Sequence, residues 1–120
     1  MTGCEYFKHV GKDVENLALI SDRLQRLTLT DYPTNMKQVQ AQKLTEQQAA
    51  IKNRISIAQM IITFIGEEKS EDVAQVLTLK YLQGKSSEEI AQHMQIPTTT
   101  VNSKLHTAFN VWDTTKWETS

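Results

Sequence analysis

Proline occurs twice and glycine four times in 120 residues. That scarcity excludes a Gly-rich phosphate loop, a Pro-rich linker and a chain built on tight turns. The one cysteine, Cys4, has no partner for an internal disulfide and reads as an incidental thiol near a frayed end. Aromatic residues amount to only 7%. Neither sign of charge dominates: 13 Lys and Arg stand against 14 Asp and Glu, for a net charge of −1, and neither end is a run of one sign. The longest apolar stretch, around Met60 to Ile65, is far shorter than the ~20 residues a membrane span needs. The N-terminus shows no cationic stretch followed by an apolar core, so no secretory signal is expected. These absences lead us to expect a cytoplasmic protein without membrane contact.

Catalytic chemistry has little to work with. His9, His93 and His106 are far apart in sequence and lack neighbouring Cys or paired carboxylates. A metal bound by His93 and His106 would need two further ligands that the sequence does not offer. They read as surface or groove-edge histidines. Ser86 and Ser103 have no base arranged beside them. The expectation is no enzyme, no catalytic residue, no metal and no cofactor.

What the chain does contain is helical periodicity. Phe7, Val10, Val14, Leu17, Ile20, Leu24 and Leu27 recur at threes and fours, a heptad-like seam. Leu29 to Asn35 reads as a break. A second seam runs through Leu44, Ile51, Ile55, Ala58, Ile62 and Ile65. Thr45 and Gln48 suit a capping box at its start, and Gly66 suits a C-cap. Ser70, Asp72 and Val73 then open another helix. Residues 1–68 are therefore expected to form two long amphipathic helices. They either pair as a hairpin docked on the remainder or also pair between chains as a dimerisation arm. We expect the homodimer, because both seams offer more apolar surface than one hairpin uses. The basic residues of this half read mainly as a solvated face, a minority of them within reach of flanking phosphates.

Residues 84 to 105 are the most informative window. Ser86 with Glu89 three residues later forms a capping box. The helix that follows puts Ile90, Ala91 and Met94 on one face. Gln95-Ile96-Pro97 breaks it, and Thr98 or Thr99 is placed to cap a second helix. That second helix buries Val101, Leu105, Ala108 and Trp112. Its other face carries Thr99, Thr100, Asn102, Ser103, Lys104, His106 and Thr107, short donors and acceptors that suit base edges and phosphates. Two helices in this order make a helix-turn-helix. Tyr81, Phe109 and Trp112 are expected in its core, and Trp117 as a tail residue able to anchor a partner.

Gly84, Ser86, Glu89-Ile90-Ala91, Ile96, Thr100-Val101 and Ser103-Lys104-Leu105 resemble the helix-turn-helix in region four of bacterial sigma factors, and Val76-Leu77, Leu79, Tyr81 and Leu82 resemble its lead-in helix. The resemblance covers about residues 70 to 112. With a short helical front half, the whole is similar to small phage-encoded transcription regulators of the ArpU type. One departure is electrostatic. Lys104 stands where the family favours Arg, and residues 70 to 120 hold four lysines against six carboxylates. Phosphate neutralisation dominates DNA affinity, so one copy of this module should bind weakly.

The expected architecture is all-α: a helical hairpin over 1–68, then a three-helix helix-turn-helix module over 69–120. The resemblance implies a sequence-specific regulator binding double-stranded DNA and contacting host RNA polymerase. Thr98, Thr99, Thr100, Asn102, Ser103 and Lys104, with His106, would face the major groove, and Lys85, Ser86 and Ser87 would hold the backbone. Two other functions fit the same residues. One is a protein-binding adaptor or inhibitor on a helix-turn-helix scaffold. The other is a phage packaging protein resembling a terminase small subunit, which would form a ring larger than a dimer.

Overall fold

Thr2 starts the first helix, its hydroxyl accepting from the Glu5 amide at 3.2 Å. The helix, α1, runs Gly3–Leu27. The computed structural model describes residues 1–115. After a short connection comes α2, Thr34–Glu68, followed by α3, Glu71–Leu77, which widens into a π-helical turn over Thr78–Leu82. The last two helices are α4, Ser87–Met94, and α5, Thr98–Thr114. No strand occurs among the described residues. None of the helices there is long and apolar enough to cross a membrane.

The hairpin is antiparallel. Asp13 of α1 takes a two-pronged bond from Arg54 of α2, at 2.9 and 3.0 Å, while Gln48 reaches back to Ser21 at 3.2 Å. Both seams turn inward: Phe7, Val10, Ile20 and Leu27 on α1, and Ile51, Ala58, Ile62 and Ile65 on α2, are buried. The start of α2 differs from expectation. Pro33 is its N-cap, and Thr45 with Gln48 lies inside the helix rather than capping it. Residues 36 to 50 are rich in Gln, Lys and Ala and contain no Gly or Pro, so nothing stops the helix from extending back to the proline. Its 35 residues make it about 50 Å long, close to the longest dimension of the molecule, 54 Å.

Gly66 is also not a cap. It sits within α2, which continues to Glu68. A Cβ there would lie 2.8 Å from the Ala74 Cβ, so the glycine permits α3 to cross α2 at close range. Ser70 caps α3, accepting from Val73 at 3.4 Å. In the π-helical turn Leu79 and Tyr81 are two residues apart yet both buried, because α1 and α4 both pack against this segment.

One core joins the two halves of the chain. Phe7 is wholly buried, 5.5 Å ring to ring from Tyr81 and 6.2 Å from Phe109. Tyr6 stacks on Trp112 at 4.1 Å. The Gly3 amide donates to Asp113 at 3.0 Å. Deep in α5, Val101, Leu105, Ala108 and Val111 are buried. Val111, rather than Trp112, ends this inward row. Trp112 is half-buried on the flank that meets α1, where its indole donates to the Met1 carbonyl at 3.2 Å. Trp117 lies outside the described residues.

A candidate nucleic-acid interface

The turn between α4 and α5 begins with a local hydrogen-bond closure. The Ser86 hydroxyl accepts from the Glu89 amide at 3.2 Å, and the Glu89 carboxylate accepts from the Ser86 amide at 3.1 Å. This is the capping box expected from the spacing. The hydrogen bond from the Ser86 backbone, then that from its side chain, holds the Glu89 carboxyl below its ordinary range. Gln95 ends α4 in the left-handed region at φ 58°. There the Ile96 amide reaches the Ala91 carbonyl at 3.0 Å, satisfying an orphan acceptor of the helix end. Pro97, not Thr98 or Thr99, is the N-cap of α5, and no side chain caps it. The fixed φ of proline already supplies the extended geometry of a cap, and Thr98 is the first helical residue.

These two ends aim the outer surface of α5. Thr98, Thr99, Asn102, Ser103 and His106 are exposed, and Asn110 extends the same stripe by one turn. Asn110 was missed in sequence, although its position four residues after His106 follows from the helical repeat. Thr100 and Lys104 are only partly exposed, on the flank of the stripe, and so are Lys85 and Ser87 before and at the start of α4; Ser86 is exposed. The Ser87 hydroxyl donates to the side-chain amide oxygen Oδ1 of Asn102 at 3.3 Å, tying the start of α4 to the stripe. Ten positions named from sequence thus fall on α5 and on the N-terminal end of α4, with one direct bond between the two groups.

Lys104 also faces a carboxylate. Its ammonium lies 3.9 Å from Asp72 in the first turn of α3, and its side chain is 23% exposed. An exposed pair of this kind contributes roughly 0–1 kcal/mol to stability. Its larger effect is on the surface, because it offsets the only lysine between Ser86 and Thr115. What remains on the stripe is neutral hydroxyl and amide chemistry plus His106. Such groups can read donor and acceptor patterns on base edges but cannot neutralise phosphate.

No curated protein and no solved structure gave a match to the chain. A comparison with protein families did. Residues 70–109 match the family model of sigma-70, region 4. The matched stretch is about a third of the chain and runs from the cap of α3 through most of α5. Sigma-70 region 4 is a DNA-binding helix-turn-helix and not an enzyme family. The match thus agrees with the resemblance carried by Gly84 to Leu105. Among the described residues no group of three His, Cys, Asp or Glu side chains is disposed to hold a metal.

Proposed function

We propose that this protein is a sequence-specific transcription regulator that reads double-stranded DNA. In this reading Thr98, Thr99, Thr100, Asn102, Ser103, Lys104 and His106 meet the major groove, while Lys85, Ser86 and Ser87 hold the backbone beside it. The observation that carries it is the exposed polar stripe of α5, tied through Asn102 to Ser87, within a sigma-70 region 4 match. The stripe offers hydroxyls and carboxamides at the width of one helix face, and a helix entering the major groove needs that set to discriminate bases.

The finer parts of the reading follow from it. Residues 69–120 are the DNA reader and residues 1–68 the assembly region of a homodimer. Two linked readers bind far better than one, which offsets the weak charge of each. Exposed Leu29, Tyr32, Met36 and Val39, at the hairpin's far end, give a second copy an apolar surface to cover. Resemblance to small phage regulators supports a phage-encoded protein acting in the bacterial cytoplasm with host RNA polymerase. A second reading, a protein-binding adaptor on the same scaffold, is favoured by one observation: the Lys104–Asp72 pair, which offsets the one lysine beside the stripe.

Selection of bound sequences from a random duplex library tests the assignment. The expected result is one enriched motif, in two copies about one helical turn apart for a dimer. Asn102→Ala with Ser103→Ala should flatten the motif while the exposed sites leave folding intact. No enrichment with the native chain favours the adaptor.

A further inference from the structure

The module is net acidic, and the front half adds cations beside two of its own lysines. A groove of about 530 Å³ runs between α1 and the segment joining the π-helical turn to α4. Lys8 and Lys12 line one wall, and Lys80 and Lys85 the other. Lys8 and Lys12 are four residues apart, so they share a face of α1, and both are exposed. Glu15 is the one carboxylate on the rim; Glu89 lies close enough to Lys85 to feel its charge. Against four ammonium groups, these two leave the groove positive.

The four lysines differ from the three cations of the chain that have a carboxylate partner. Arg26 is paired with Asp22, Arg54 with Asp13 and Lys104 with Asp72. Among the described residues, no carboxylate pairs with Lys8, Lys12, Lys80 or Lys85 within 4.0 Å. Lys80 instead lies 5.9 Å above the Tyr81 ring, which helps hold its position. Between them Gly84, at φ 70°, has nothing within 4 Å of where a Cβ would stand, so the wall is open to close approach.

The groove adjoins the proposed reading surface. Lys85 directly precedes the cap Ser86, and Ser87 is bonded to Asn102 on the stripe. We propose that Lys8 and Lys12 of α1, with Lys80 and Lys85, form a ledge that binds the phosphate backbone of the DNA whose bases α5 reads. The proposal rests on the DNA-binding reading. It gives the front half a direct part in binding in addition to assembly. It also accounts for a net acidic module in a DNA-binding protein, because half of the ledge comes from outside the module. Amines contributed by two elements along a groove suit successive phosphates of a strand better than a single anion enclosed by one loop.

The test is the salt dependence of binding by the full-length chain to a mixed-sequence duplex. It compares the native protein, Lys8→Gln with Lys12→Gln, and Lys43→Gln with Lys52→Gln on α2. The last pair removes the same charge from exposed positions away from the groove. Each phosphate contact contributes roughly 0.9 to the slope of log affinity against log salt. The α1 variant is expected to lose about 1.8 of slope and the α2 variant much less. The selected motif should be unchanged in the α1 variant, because backbone contacts carry no base information. An unchanged slope in the α1 variant, or an equal loss in both, overturns the ledge while leaving the DNA reader standing. No binding by the native chain even at low salt overturns both.

Discussion

Glu89 closes the cap of α4 more strongly when its carboxyl is ionised than when it is neutral. Its pKa is lowered from 4.5 in the folded chain, chiefly by the Ser86 amide. A lowered folded value means stability that is present above the unfolded pKa and lost as pH falls through the folded one. Glu89→Gln should therefore flatten the acid side of the stability curve below about pH 4.5, measured by thermal melting across pH. Ser86→Ala removes the other half of the box and should lower the melting temperature by a few degrees at neutral pH. An unaltered acid limb in Glu89→Gln contradicts this role. The box was legible in sequence because its two partners are three residues apart and need no tertiary context. The cap of α5 was not, since Pro97 meets the geometric requirement that a threonine would otherwise meet. Gln95 was equally hidden: glycine is the usual left-handed residue at a helix end, and here the fold holds a glutamine there.

At the scale of elements, Gly66 shows how one letter serves two purposes. A glycine near an expected helix end suggests a left-handed cap, yet here it makes room for Ala74 across the α2–α3 crossing. Gly66→Val should push these helices apart and destabilise the fold by about 1–3 kcal/mol, read from denaturant unfolding. A neutral or stabilised variant, following the gain of roughly a few tenths of a kcal/mol in helix propensity when glycine is replaced by valine, would show that the crossing tolerates expansion. The seams themselves were legible, as periodicity at threes and fours names the buried faces of α1, α2 and α5 directly. Length was less so. Thr45 resembled a start signal, but a local signal does not stop a helix whose preceding residues all favour continuation. The π-helical turn depends on α1 and α4 packing around Leu79 and Tyr81, and no local pattern reports it.

Over the whole molecule, the division of charge matters most. Nine of the 13 basic residues and eight of the 14 acidic ones precede Ser70, so the front half is weakly positive and the helix-turn-helix module weakly negative. Sequence located the polar stripe, since Thr98, Thr99, Asn102, Ser103 and His106 recur at threes and fours on the face opposite Val101 and Leu105. It did not show that Lys104 meets Asp72 from 32 positions earlier, nor that Lys8 and Lys12 share a groove with Lys80 and Lys85. Both are consequences of how α1 and α3 dock on the helix-turn-helix, through Phe7, Tyr81 and the close approach of Gly3 to Phe109 and Trp112. The most direct measurement is fluorescence anisotropy of the native chain with a labelled mixed-sequence duplex, titrated at roughly 50 mM and 200 mM salt. Binding at the lower salt that falls by a factor of ten or more at the higher, the loss expected when several phosphates are contacted, is the predicted result. Absence of binding at the lower salt contradicts the DNA-reading account.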